Sequence, residues 1–229
     1  SLSEAISQAV NDNTQAKISL KSAVQLLMGM ARFARVKHYP NYLNLIAGSR
    51  RKPWLKALVL DLLLHDVHWS MFASKKPNFS TLFLNAGAHI QHHYFFNAAP
   101  LKNESPNKNP NWYVQSEEDP LGDALKLYDL IVGEYFSITD AEVVLATGLS
   151  QKPYGQTEFY YRLRTHEKFL RKINLDFERV FPRMTRDFLV EFSNEKQAQE
   201  AHALMASIQV IGENLPLFGE IDNRGSSLF

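Results

Sequence analysis

The longest apolar stretch of the chain, WLKALVLDLLLHDVHW at 54–69, carries Lys56, Asp61, His65 and Asp66 inside it. A membrane-spanning helix needs roughly 18 or more apolar residues in succession, and neither this stretch nor any other segment supplies them. What the pattern predicts instead is a long helix of a soluble fold. It opens after Arg51-Lys52-Pro53, where proline suits the first turn because its missing N–H costs nothing there. It fades at Lys75-Lys76-Pro77.

Helical spacing also fills the chain upstream. Over 16–36, Ile18, Ala23, Leu26, Leu27, Met30 and Phe33 recur every three to five residues and form one apolar stripe. Pro40 and Gly48 punctuate a shorter helix, so residues 1–76 read as helical.

Beyond Pro77 the period changes. FSTLFLN (79–85) reads as a buried strand, and Gly87 allows a sharp strand-to-helix turn. A polar connection at 97–119 leads to Asp119-Pro120, an N-cap and first-turn pair that starts a helix running to about Ile138. AEVVLATGL (141–149) reads as the clearest strand, and 156–173 as helical in its second half. A strand at 187–193, a helix at 194–209 and a strand at 217–223 close the pattern. Strands alternating with helices predict an α/β fold, a mixed sheet flanked by helices with a helical N-terminal third. The expectation is one α/β domain over 1–229, helical at 1–76 with an α/β core at 77–229. The terminal SSLF reads as the start of a further strand, which predicts a piece of a longer polypeptide.

Composition excludes several classes of function. A net charge of +1 argues against a nucleic-acid surface, which needs a strong local excess of Lys and Arg. The absence of cysteine excludes disulfides, thiolate catalysis and Cys-ligated zinc. SLSEAISQAV has neither the basic nor the apolar region of a signal peptide, so a cytoplasmic location is expected, with no membrane partner.

Four groups of residues can carry chemistry. On a helix starting near Ala86, His89 and His93 stand four apart on one face with His92 beside them. That spacing can hold one divalent ion, zinc or manganese. Asp61, His65, Asp66 and His68 form a second titratable group on the long helix, able to complete a metal site or a proton relay. ATGLSQKPYG (146–155) ends the second strand, where open α/β sheets bind ligands, and Thr147, Ser150 and Gln151 there can hold an anion. Arg162, His166, Arg183 and Arg186 can recognise phosphate, sulfate or carboxylate. For the histidine run and the arginines, hydrogen bonding at a helix end or a solvated surface is the plainer explanation. Helix hydrogen bonds explain the Asp61–His68 group equally well, and 146–155 reads as a binding turn rather than a catalytic serine.

FSTLFLNAGAH followed by EVVLATGLSQ resembles the alkaline-phosphatase superfamily over residues 77–150, in particular the type I phosphodiesterases and nucleotide pyrophosphatases. In that family an apolar strand ends in Asp-x-x-x-His. Here His89 matches the histidine ligand, and Asn85 stands where the family has its aspartate. The family's later Asp-His-Gly is replaced by Ala146-Thr147-Gly148. The resemblance implies a partial alkaline-phosphatase-like architecture with an altered metal centre.

Two functions follow as expectations. One is a metal-dependent hydrolase-like domain acting on phosphate or sulfate esters of a small anionic substrate. Its ion lies at His89, His92 and His93, and its anion contacts are Asn85, Thr147, Ser150, Gln151, Arg162, His166, Arg183 and Arg186. The other is a catalytically degenerate domain that binds a ligand or a protein with the same surface.

Overall fold

The computed structural model describes residues 19–229 except 103, 105–107, 148, 149, 154, 156–161, 184, 185 and 213. The chain divides into two compact units, one drawn from Leu26–Glu158 and the other from the residues on either side of it.

In chain order the helices are α1 (Leu20–Phe33), α2 (Tyr39–Gly48), α3 (Leu55–Lys75), α4 (Ala86–Tyr94), α5 (Pro120–Phe136), α6 (His166–Lys172) and α7 (Glu195–Ser207). A 3-10 turn at Val36–His38 precedes α2. Helix α3 is the centre of the Leu26–Glu158 unit, packing against α2, α4 and α5. Leu58, Leu62 and Leu63 of α3 are fully buried with Ile90 of α4 and Ile131 of α5. A helix enclosed in this way must pair whatever polar side chains it carries, because an unpartnered buried charge is costly. Asp61, His65 and Asp66 are buried along with its leucines.

The caps explain two of the helix starts. Asp119 accepts the N–H of Gly122 at 3.0 Å and Pro120 opens α5, as the Asp-Pro pair predicts. At α4 the side chain of Asn85 makes no capping bond. Asp61 reaches across from α3 instead, its Oδ2 accepting the N–H of Ala86 at 2.9 Å. Tyr128 of α5 locks the junction: its hydroxyl donates to Asp61 Oδ2 at 2.8 Å and accepts the N–H of Gly87 at 2.7 Å.

The other unit holds the sheet, formed by β1 (Arg179–Pro182), β2 (Phe188–Glu191) and β3 (Ser227–Leu228) in the order β1-β2-β3. Both pairings are antiparallel, with Val180 opposite Val190 and Val190 opposite Leu228. Leu170 of α6 and Ala198, Ala201 and Met205 of α7 are buried against Val190 and Leu228.

The α/β class therefore stands, with a sheet that is small and antiparallel rather than mixed. Residues 79–85 and 142–147 are not strands, although their composition predicts them. β-branched and aromatic residues favour a strand only where a neighbouring edge pairs with it. Here Phe79, Phe83, Val144 and Leu145 are exposed and pair with no strand among the described residues. The strand expected at 217–223 is also displaced. The chain there is irregular, and Ser227–Leu228 completes the sheet as the terminal apolar residues suggest.

Candidate metal centre

Three segments of the Leu26–Glu158 unit meet at one buried point. The 3-10 turn brings His38, α3 brings the adjacent His65 and Asp66, and α5 brings Glu134. His38, His65 and Asp66 each offer a ligand atom, and these atoms all lie within 4.8 Å of one another. Among the described residues this is the one such group of histidines and carboxylates.

Asp66 is fully buried and both its oxygens are engaged. Oδ2 accepts the backbone N–H of Arg35 at 3.0 Å and the hydroxyl of Tyr42 at 2.9 Å. Oδ1 accepts Nε of Arg35 at 2.7 Å and faces Nδ1 of His38 at 2.7 Å. The other nitrogen of His38, Nε2, lies 2.7 Å from Oε1 of Glu134. Lys37 Nζ is also 2.8 Å from that oxygen, so Arg35 and Lys37 set two cationic charges against two carboxylates. Burial opposes ionisation of Glu134, but the hydrogen bonds from Lys37, His38 and Arg35 outweigh it and hold the carboxyl at about 2.

The polarity of the network is fixed by Arg35. A guanidinium can only donate. Its Nη2 lies 2.6 Å from His65 Nε2 and 2.6 Å from Glu134 Oε2, one N–H for each acceptor. His65 Nε2 must therefore carry a lone pair, which places the ring proton on Nδ1, 3.1 Å from the hydroxyl of Tyr135. That hydroxyl is free to donate to Nδ1 of His68 at 2.7 Å, and Nε2–H of His68 then reaches Ser80 Oγ at 2.6 Å. Burial lowers the pKa of His65 to about 4 and keeps the ring neutral, whichever nitrogen carries the proton.

His38, His65 and Asp66 form a mixed N/O set that can hold a divalent ion such as zinc or manganese, with the Glu134 carboxylate beside it. His65 fits the requirement that a ligating imidazole present one nitrogen while a fixed partner holds the other. Tyr135 is that partner.

The expected site residues are distributed differently. On α4 the rings of His89 and His93 lie 4.7 Å apart, and burial with the neighbouring His92 lowers the pKa of His89. Nδ1 of His93 meets the Tyr113 hydroxyl at 2.9 Å, while His92 Nε2 lies 3.3 Å from Gln151 Nε2. The three rings do not gather into one ligand group. Asn85 contributes its backbone N–H, 3.5 Å from Asp61 Oδ1. Thr147 and Ser150 are exposed, and Gly148 between them lies outside the described residues. In the other unit, Arg162 donates to the carbonyl of Arg183, and His166 is buried beside the ring of Phe188 at 4.9 Å. Burial and the charge of Arg162 lower the pKa of His166. Arg186 is exposed. Asp61, grouped with His65 by spacing, serves α4 instead.

No protein-family model, curated protein or solved structure matches this chain. The centre is defined by its geometry alone. His65, Asp66 and His68 stand out as a group in the sequence, whereas nothing there ties Arg35, His38, Tyr42, Glu134 and Tyr135 to them. The available signal was the adjacent His65-Asp66 pair inside the longest apolar stretch, which demands buried partners from elsewhere in the chain.

Proposed function

We propose that the Leu26–Glu158 unit is a metal-dependent hydrolase-like domain for phosphate or sulfate esters, with a divalent ion held by His38, His65 and Asp66 beside the Glu134 carboxylate. The observation that carries this reading is a convergence of acceptors. His65 Nε2, Glu134 Oε2 and Asp66 Oδ1 all lie within 2.7 Å of the one guanidinium of Arg35. A bound ion supplies Lewis-acid polarisation of an ester oxygen or an acidified water. The chain's own part is to orient the ligands and attract the anion. Tyr135 sets the tautomer of His65, and Tyr42 with the Arg35 amide holds Asp66 Oδ2. Lys37, half exposed beside Glu134, adds positive charge where an anionic ester approaches. The reaction class matches the one implied by the resemblance at 77–150, but the centre rests on other residues than His89, His92 and His93.

One observation favours a second reading, a catalytically degenerate domain. The Arg35 guanidinium already satisfies the acceptors, as in a purely structural ion-pair core. Hydrolysis of chromogenic phosphodiester, phosphomonoester and sulfate ester substrates with zinc or manganese separates the two. The hydrolase reading expects turnover that is lost in His65→Gln and restored by no added metal. A wild-type protein that holds manganese yet turns over none of the three substrates establishes the degenerate reading.

A further inference from the structure

We propose that Arg35 determines which cations the centre accepts, because its guanidinium and a divalent ion compete for the same acceptors. This inference rests on the metal reading above and adds a selecting residue to it.

An imidazole nitrogen has one lone pair, so His65 Nε2 cannot bind an ion while accepting from Arg35 Nη2 at 2.6 Å. The same guanidinium holds Asp66 Oδ1 at 2.7 Å and Glu134 Oε2 at 2.6 Å. Entry of an ion therefore means departure of the guanidinium from all three. Asp66 is built to survive that departure, since its Oδ2 is held by the Arg35 main-chain N–H at 3.0 Å and by Tyr42 at 2.9 Å. Releasing the side chain frees Oδ1 while the carboxylate stays in place.

The guanidinium also has a neighbouring surface. Its Cζ lies 4.6 Å from the centroid of Trp69, and Lys37 Nζ lies 5.7 Å from the same ring. A displaced Arg35 thus alters the surroundings of an indole, which makes Trp69 a reporter of the exchange. Displacement selects ions that gain strongly from imidazole nitrogen. Zinc meets that condition best, and manganese, a softer ion than magnesium or calcium, meets it better than those two.

The test titrates manganese and magnesium into the full chain and into Arg35→Met, Arg35→Lys and Trp69→Phe, by calorimetry and tryptophan fluorescence. The wild type should bind manganese with a fluorescence change and take up no magnesium at millimolar concentration. Arg35→Met should bind manganese at least about tenfold tighter, because the two carboxylates lose their internal counter-ion. It should also gain magnesium binding. Trp69→Phe should bind manganese without the fluorescence change. If Arg35→Met does not fold, Arg35→Lys decides, since an ammonium cannot reproduce the fork and should also bind manganese tighter than the wild type. Equal manganese affinity in the wild type and the folded Arg35 variant overturns the selecting role and leaves the metal reading standing. Manganese bound by none of the proteins overturns both.

Discussion

Arg35 Nη2 lies 2.6 Å from His65 Nε2, and because a guanidinium has no lone pair to offer, the imidazole must accept. The consequence runs outward through Tyr135 to His68 and Ser80. Two-dimensional 15N NMR of the metal-free protein at neutral pH should show His65 as the neutral Nδ1–H tautomer. A protonated Nε2 contradicts the assigned polarity. Tyr135→Phe removes the acceptor for that proton and should cost about 1–2 kcal/mol in urea unfolding.

Asp66 is buried without exposure and binds Arg35, His38 and Tyr42 at once. Asp66→Ala leaves the Arg35 charge and the Tyr42 hydroxyl without their acceptor. A loss of about 3–5 kcal/mol in unfolding free energy is expected, the range for breaking a buried pair from one side. Loss below about 1 kcal/mol, within the range of exposed pairs, shows that the site is open to solvent.

Asp61 gives a dependence on pH. Burial raises its pKa above the ordinary carboxyl value, although the Ala86 amide, the Tyr128 hydroxyl and the Asn85 amide act in the opposite direction. The folded chain thus holds this proton more tightly than the unfolded chain. The stability it contributes is full below the unfolded carboxyl pKa and is lost as pH rises through the raised folded value. Asp61→Asn removes that loss while keeping an acceptor for Ala86. Its stability relative to the wild type should therefore rise as pH is raised through the window, read from urea midpoints at a series of pH values. A difference that does not change with pH excludes a raised Asp61.

Gly87 marks the tightest approach at this junction. A Cβ there would stand 2.9 Å from Cε2 and 3.2 Å from the hydroxyl of Tyr128. Gly87→Ala should displace the ring from Asp61 and cost about 1–3 kcal/mol, the usual range for overpacking. Thermal unfolding checks it, and a Tyr128→Phe background, which already lacks the hydroxyl, should show a smaller loss.

The helices were legible because their signals are local. The Asp119-Pro120 start, the stripe of α1 and the long run of α3 each follow from residues within a few turns. The strands expected at 79–85 and 141–149 are absent over their described residues because a strand is completed by its neighbour, and no periodicity shows whether an edge is waiting. The site divided along the same line. His65 and Asp66 are conspicuous in an apolar run, whereas Glu134 lies almost seventy positions beyond them on α5 and looks like any polar helix residue. His38 and Arg35 precede α2 with nothing local to tie them to α3. The histidines of α4 drew attention by number and spacing, yet the structure gives that helix partners in Tyr113 and Gln151.

The most direct test of the central claim is the metal content of the full chain after loading with manganese or zinc and dialysis. One ion per chain is expected in the wild type, retained in His89→Ala/His93→Ala and lost in His38→Gln/His65→Gln. No stoichiometric ion in the wild type, or an ion that follows the α4 histidines, contradicts it.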